Sequence, residues 1–159
     1  MVYLFLNYAK IQSIRSKNLT RRERFENGIQ ASDGTISVIK RPFAEEQKRL
    51  SKLDLSIEQE AAFVEACRKI GLRSMTTIFD RSTVPEVCSL GFDAVKIASY
   101  DCSSLPLIKD VTDKFSTVFV STGASTDCEI ITTANLLNSK KDIESYLLHC
   151  VTIYPTPKD

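Results

Sequence analysis

Four apolar words in this chain end in side chains that donate hydrogen bonds or carry positive charge, the chemistry needed to hold an anion. Residues 74–80 read SMTTIFD, 93–99 read DAVKIAS, 118–124 read VFVSTGA and 147–157 read LLHCVTIYPTP. Each passes from a strand-like run to Lys, Ser or Thr. In the last, Tyr146 to Leu148 leads into His149, Cys150 and Thr152. A Tyr154-Pro155-Thr156-Pro157 turn follows, where two prolines lock φ. Polar groups fixed at the mouth of a strand describe a built site better than a connector, because function concentrates in loops held by a rigid scaffold. Four such ends imply one functional face.

Lys96 is the sharpest single residue. It lies inside Asp93-Ala94-Val95-Lys96-Ile97-Ala98. A lysine within an apolar strand must face a polar cavity, lose its charge, or snorkel from an edge to water, and the residues alone weigh these about evenly. Ser121-Thr122-Gly123 is equally a turn leaving a strand. His149 is the single histidine of the chain. A lone histidine there is more often a hydrogen-bonded scaffold residue than a metal ligand or base. Cys150 has no second histidine or acidic partner to activate it, and reads as structural.

The elements that must position these groups alternate from residue 56 onward. Ser56 with Gln59 forms a capping box, Phe63, Ala66, Cys67 and Ile70 recur at helical spacing, and Gly71 ends the helix. A strand is predicted over 72–77. Thr83 with Glu86 predicts a second cap, Pro85 sits in the first turn, Val84, Val87 and Cys88 face inward, and Gly91 closes the helix. A strand over 93–97, a helix over 106–114 and a strand over 117–120 follow. Thr126 with Glu129 opens a helix with Ile130, Ala134 and Leu137 inward, and the last strand spans 145–149. Such alternation with short connections implies parallel strands and right-handed crossovers, with ligands at the C-terminal strand ends. No GxGxxG or GxxxxGK[ST] loop occurs, which removes the commonest sign of an open nucleotide-binding sheet. Pattern alone leaves barrel and open sheet unseparated.

Composition narrows the class. At 159 residues the chain can bury one core but falls short of a whole (βα)8 barrel, which needs at least about 200 residues. A formal charge of +1 argues against a general nucleic-acid or membrane role, although the first fifty residues are locally basic. Five scattered cysteines without a CxxC pair suit reduced thiols in a cytoplasmic protein. Residues 1–8 are apolar, too short to span a bilayer and unlike a signal peptide.

The words KLDLS (52–56), TTIFD (76–80), LGFDAVKIAS (90–99), LPLI (105–108), VSTGA (120–124) and LLHCVTIYPTP occur together and in order. In this the chain resembles the sialic acid synthase family, the phosphoenolpyruvate-dependent synthases of nine-carbon sugar acids. Ala9-Lys10-Ile11-Gln12 resembles the family's second-strand word. The resemblance implies an α/β fold, an incomplete TIM-type (βα)8 barrel holding about strands two to six. Residues 52–159 are the well-matched βα repeats. Residues 1–51 are divergent, with strand two near 4–12 and a long irregular connection across 13–41. Strand one, strands seven and eight, and the family's C-terminal antifreeze-like domain are not found.

The resemblance also implies the reaction. Phosphoenolpyruvate condenses with an N-acylated amino sugar such as N-acetylmannosamine, and phosphate is released. A phosphate calls for several convergent donors. Positions matching Lys10, Thr77, Lys96, Ser99 and Ser121 hold the phosphate and carboxylate in the family, Thr152 helps bind phosphate, and Tyr154 and Asp101 lie by the amino sugar. The family uses a divalent metal, Mn²⁺ or Mg²⁺, bound by histidines of strands seven and eight, so no metal ligand is identified here. Three departures stand out: Ile78 for proline, Ala124 for methionine, and Tyr100 for glycine, the last adding bulk that narrows the pocket. The chain alone is expected to be a weak or dead catalyst, and turnover matching a full-length family member would refute that. Uncovered sheet edges predict self-association or a complementing chain. A Schiff-base aldolase using Lys96, or a non-catalytic subunit that completes its barrel with another chain, are the alternatives.

Overall fold

The computed structural model describes the backbone of residues 3–6, 27–30 and 36–39, and backbone with side chains for residues 48, 51, 52 and 54–152. In chain order the elements are β1 (Tyr3–Leu6), β2 (Asn27–Gln30), β3 (Ile36–Ile39), α1 (Ile57–Lys69), β4 (Arg73–Ile78), α2 (Val84–Ser89), β5 (Ala94–Ile97), α3 (Leu105–Thr112), β6 (Thr117–Ser121), α4 (Asp127–Asn138) and β7 (Glu144–Leu148). They fall into two compact units, residues 1–8 with 55–159, and residues 9–54.

In the first unit β1, β4, β5, β6 and β7 form one sheet in that order, every pair parallel. Each strand therefore joins on the same side of the one before it. With right-handed crossovers this puts the helices on one face. An open doubly wound sheet reverses its strand order where its halves meet. The described strands show no reversal, so the sheet is a segment of a singly wound, barrel-type α/β fold.

The helix-covered face holds the core. Val95, Ile97, Val118 and Val120 are fully buried and cluster with Val64, Leu107, Ile108, Val111 and Leu137. Fully burying each such side chain contributes about 1.5–3 kcal/mol. Capping boxes at Ser56–Gln59 and Thr126–Glu129 are both present. Gly71 and Gly91 take φ of +71° and +77° just past α1 and α2, the left-handed geometry that lets the chain leave a helix at little cost. β7 ends the described sheet, with Tyr146 and Leu147 exposed.

Three expectations need correction. Thr83 is the N-cap residue of α2, but its side chain makes no capping bond, because the helix is entered through a 3₁₀ turn, Arg81–Thr83. Asp80 caps that turn instead, its Oδ1 accepting from the Ser82 N–H at 2.8 Å, while the Thr83 hydroxyl donates to the Asp80 carbonyl. α1 turns Glu60, Val64 and Cys67 inward and leaves Ala66 and Ile70 exposed. The buried three share one face at i, i+4 and i+7, and Ile70 is already the C-cap. In the second unit, β2 and β3 pair antiparallel from Asn27–Ile39 to Gln30–Ile36, within the segment expected to be irregular. Asn27, Gly28 and Gln30 blunt the strand signal there, whereas Asp33-Gly34 between the two words is the dipeptide typical of hairpin turns.

Candidate functional site

The sheet register builds a row of side chains on the face opposite the core. Thr77 pairs with Lys96, Lys96 with Phe119, and Phe119 with Tyr146. Alternation along each strand sends these away from Ile97 and Val120, and Ser121, two residues past Phe119, shares their face. Adjacent strands lie about 4.8 Å apart, so the Thr77 side chain is the immediate neighbour of the Lys96 stem. The Phe119 and Tyr146 rings stack with centroids 4.8 Å apart and planes within 13°.

Two hydroxyls in this region are buried without a hydrogen-bond partner among the described residues. Thr77 is 7% and Ser121 1% exposed, and neither Thr77 Oγ1 nor Ser121 Oγ is bonded to another described group. Leaving a buried hydroxyl unpaired costs about 1–3 kcal/mol. Lys96, half-buried between them in strand order, forms no hydrogen bond or ion pair with any described residue. Burial holds its ammonium below the ordinary lysine value, an effect partly offset by Cys150.

The rim is assembled from the ends of β5, β6 and β7. After β5 the chain enters a 3₁₀ turn, Ser99–Asp101. Ser99 Oγ accepts the Gly123 N–H at 3.1 Å, which leaves the serine proton free to donate elsewhere. Asp101 is half-buried, and desolvation pushes its carboxyl above the ordinary aspartate value. The turn is pinned from behind, where the buried Thr133 hydroxyl of α4 donates to the Cys102 carbonyl at 2.6 Å. Beyond β6, the Thr122 N–H and Oγ1 both donate to the Leu148 carbonyl, at 3.0 and 3.1 Å.

Gly123 is where these ends meet. A Cβ there would lie 2.8 Å from Thr152 Cγ2, 3.0 Å from Ser99 Oγ and 3.1 Å from Cys150 Cβ. Only glycine permits that approach. Gly123→Ala is expected to lower stability by about 1–3 kcal/mol, as overpacking does. A urea midpoint unchanged from the parent chain would show that the rim is looser than this.

The expected site residues are thus distributed as follows. Thr77 and Lys96 are register neighbours, Ser121 lies on their face, Ser99 and Thr152 converge on Gly123, and Asp101 lies on the turn beyond Ser99. Lys10 and Tyr154 lie outside the described residues. Tyr100 is 78% exposed, so its bulk is turned to solvent rather than narrowing the site. His149, expected as a hydrogen-bonded scaffold residue, is exposed instead. Sequence reasoning missed Gly123 and Thr122 because Ser-Thr-Gly is ordinary turn chemistry. The recurrence of small polar residues at successive strand ends was the available signal.

An open cavity of about 460 Å³ lies elsewhere, among Arg73, Thr117 and Glu144 at the strand beginnings, with Lys141 and Asp142. That is the end opposite to the one where parallel α/β folds place their chemistry. Among the described residues no group of three or more His, Cys, Asp or Glu side chains could hold a metal ion. No described helix is long and apolar enough to cross a membrane.

A model of the NeuB family matches residues 5–159. Among curated proteins, an uncharacterized protein of Methanocaldococcus jannaschii is 34% identical over 105 residues, 66% of this chain and 31% of that protein. The N,N'-diacetyllegionaminic acid synthase of Campylobacter jejuni is 26% identical over 155 residues, 95% of this chain and 44% of that protein. Among solved structures, the N-acetylneuraminic acid synthetase of Leptospira borgpetersenii, in complex with citrate, aligns with a TM-score of 0.66 at 25% identity. The alignment covers 72% of this chain and 40% of that one. The chain spans less than half the length of these relatives.

Proposed function

Because this chain belongs to the NeuB family, we propose that its strand-end face holds phosphoenolpyruvate for condensation with an N-acylated amino sugar, N-acetylmannosamine or a related compound. The products are a nine-carbon sugar acid and phosphate. The observation that carries this is the pair of buried, unpaired hydroxyls, Thr77 and Ser121, on the face of half-buried Lys96. Phosphoenolpyruvate carries a phosphate and a carboxylate, which together supply acceptors to both hydroxyls along this face and a counter-charge to the lysine between them.

The remaining donors fit the same role. Ser99 keeps its proton for the ligand because its oxygen already serves Gly123. Thr152 adds a hydroxyl from beyond β7, and Lys10 and Tyr154 complete the set by family resemblance. Asp101, its carboxyl made less acidic by burial, serves the amino sugar.

In the reaction, C3 of phosphoenolpyruvate attacks the open-chain aldehyde, water adds at C2, and phosphate departs. The residues of this chain orient the phosphate and stabilise the charge it carries away, which is electrostatic preorganisation. A divalent metal, Mn²⁺ or Mg²⁺, would polarise the aldehyde as a Lewis acid. The described residues offer no donor cluster for it. Five free thiols and a phosphoenolpyruvate substrate suit a reaction in the cytoplasm.

Thr77→Val and Ser121→Ala test this together. Each removes a buried hydroxyl that has no partner among the described residues, so each variant should be as stable as the parent or more stable by about 1 kcal/mol. Each should also weaken phosphoenolpyruvate binding about tenfold by calorimetry, the loss of one charge-assisted hydrogen bond. Unchanged affinity in both variants would remove the phosphate seat and with it the proposed function.

A further inference from the structure

We propose that Lys96 captures small phosphorylated aldehydes and ketones as reversible Schiff bases, with their phosphate on the hydroxyl of its register neighbour Thr77. This rests on the phosphate seat proposed above and goes beyond it, because phosphoenolpyruvate has no free aldehyde or ketone carbon to attack.

The geometry gives Lys96 two properties that the other described lysines do not combine. It is half-buried on a central strand, and no described residue forms a hydrogen bond or ion pair with it. Lys48, Lys52, Lys69, Lys109, Lys114 and Lys141 are exposed, and Lys140 is engaged by Asp113. Imine formation needs a neutral amine, and burial raises the neutral fraction of Lys96 at any given pH. It also needs the carbonyl held beside that amine. The hydroxyl of Thr77, in register with Lys96, is buried and has no partner among the described residues, and so is free to hold a phosphate on the same molecule; that of Ser121 lies one strand beyond and two residues further along the same face.

The step balances without an oxidant or reductant. The neutral amine adds to the carbonyl carbon, the carbinolamine takes up a proton and expels water, and a protonated imine remains. Water reverses it. The adduct fills the seat that phosphoenolpyruvate needs, so phosphorylated carbonyl metabolites act as slow, reversible inhibitors of substrate binding.

The probe is pyridoxal 5′-phosphate, trapped with borohydride and located by peptide mass spectrometry on the intact chain. The adduct should concentrate on Lys96, and unphosphorylated pyridoxal should label it about tenfold less, the worth of one charge-assisted bond. Inorganic phosphate should protect. Thr77→Val should erase the preference for the phosphorylated probe while leaving the chain folded. Lys96→Arg should lose the adduct while the exposed lysines keep their background labelling. Labelling spread evenly over the exposed lysines, or equal labelling by both probes, would overturn the inference. If phosphoenolpyruvate binds through Lys96 and no adduct is trapped, the inference fails and the proposed function stands. A phosphate-dependent adduct on a chain that does not bind phosphoenolpyruvate has the opposite meaning.

Discussion

Lys96→Ala is expected to weaken phosphoenolpyruvate binding by about 100-fold, enough to abolish a saturable calorimetric signal at ordinary concentrations. The size follows from where the charge sits. Two unit charges about 4 Å apart interact by about 4 kcal/mol at the effective dielectric of a partly buried site. Removing one partner of such a pair costs about 2–5 kcal/mol. Thr77, Ser99 and Ser121 remain in the variant as neutral donors, so residual binding persists at higher ligand concentration. An affinity within threefold of the parent chain would mean that the lysine is turned away from the ligand.

The pH profile separates charge from shape in the same experiment. Burial lowers the Lys96 pKa, so the ammonium loses its proton at a lower pH than an ordinary lysine. Phosphoenolpyruvate binds the protonated form, and its affinity should therefore fall as pH rises through that lowered value. Free-chain stability should move the other way. A base whose folded pKa is depressed destabilises the fold below that pKa and ceases to do so as pH climbs toward the unfolded value. Lys96→Arg stays charged throughout and should flatten the alkaline limb of the binding curve.

Much of this fold is legible in local sequence because local physics decides it. The Ser56 and Thr126 capping boxes, the glycines at 71 and 91, and the four strand words from β4 to β7 lie within a residue or so of where spacing puts them. The direction of strand addition is not legible in pattern, because barrel and doubly wound sheets use the same alternating units. Only the pairing order separates them. The site shows the same division. Residue type marks Lys96, Thr77 and Ser121 as donors, but that two of these hydroxyls are buried and unbonded is a property of the assembled sheet. The close approach at Gly123 likewise depends on residues 24 and more positions away. Glu60 is not legible as a core residue although its spacing to Val64 and Cys67 places it on the inner face of α1, because charged side chains are almost never fully buried unless paired.

Glu60→Gln should be strongly stabilising at alkaline pH, and it tests a buried acid that the proposed reaction does not use. Glu60 is 2% exposed, and desolvation, with the nearby charge of Glu86, raises its carboxyl from the ordinary 4.5 to about 7. The sign is fixed by proton binding. Between those values the folded chain holds a proton that the unfolded chain has released, so stability falls as pH rises across that interval. Above it the full penalty remains, up to about 3 kcal/mol for a shift of this size. Glutamine keeps the shape of the protonated acid and cannot ionise. Urea unfolding of the parent chain should therefore show a midpoint that drops between about pH 5 and pH 8, while the variant's midpoint stays level and exceeds the parent's at the upper end. Glu86→Gln should recover part of the same gain, because it removes only the second cause. A parent midpoint that rises over this range would mean that the buried carboxylate is ionised and well paired, which reverses the sign of the whole effect.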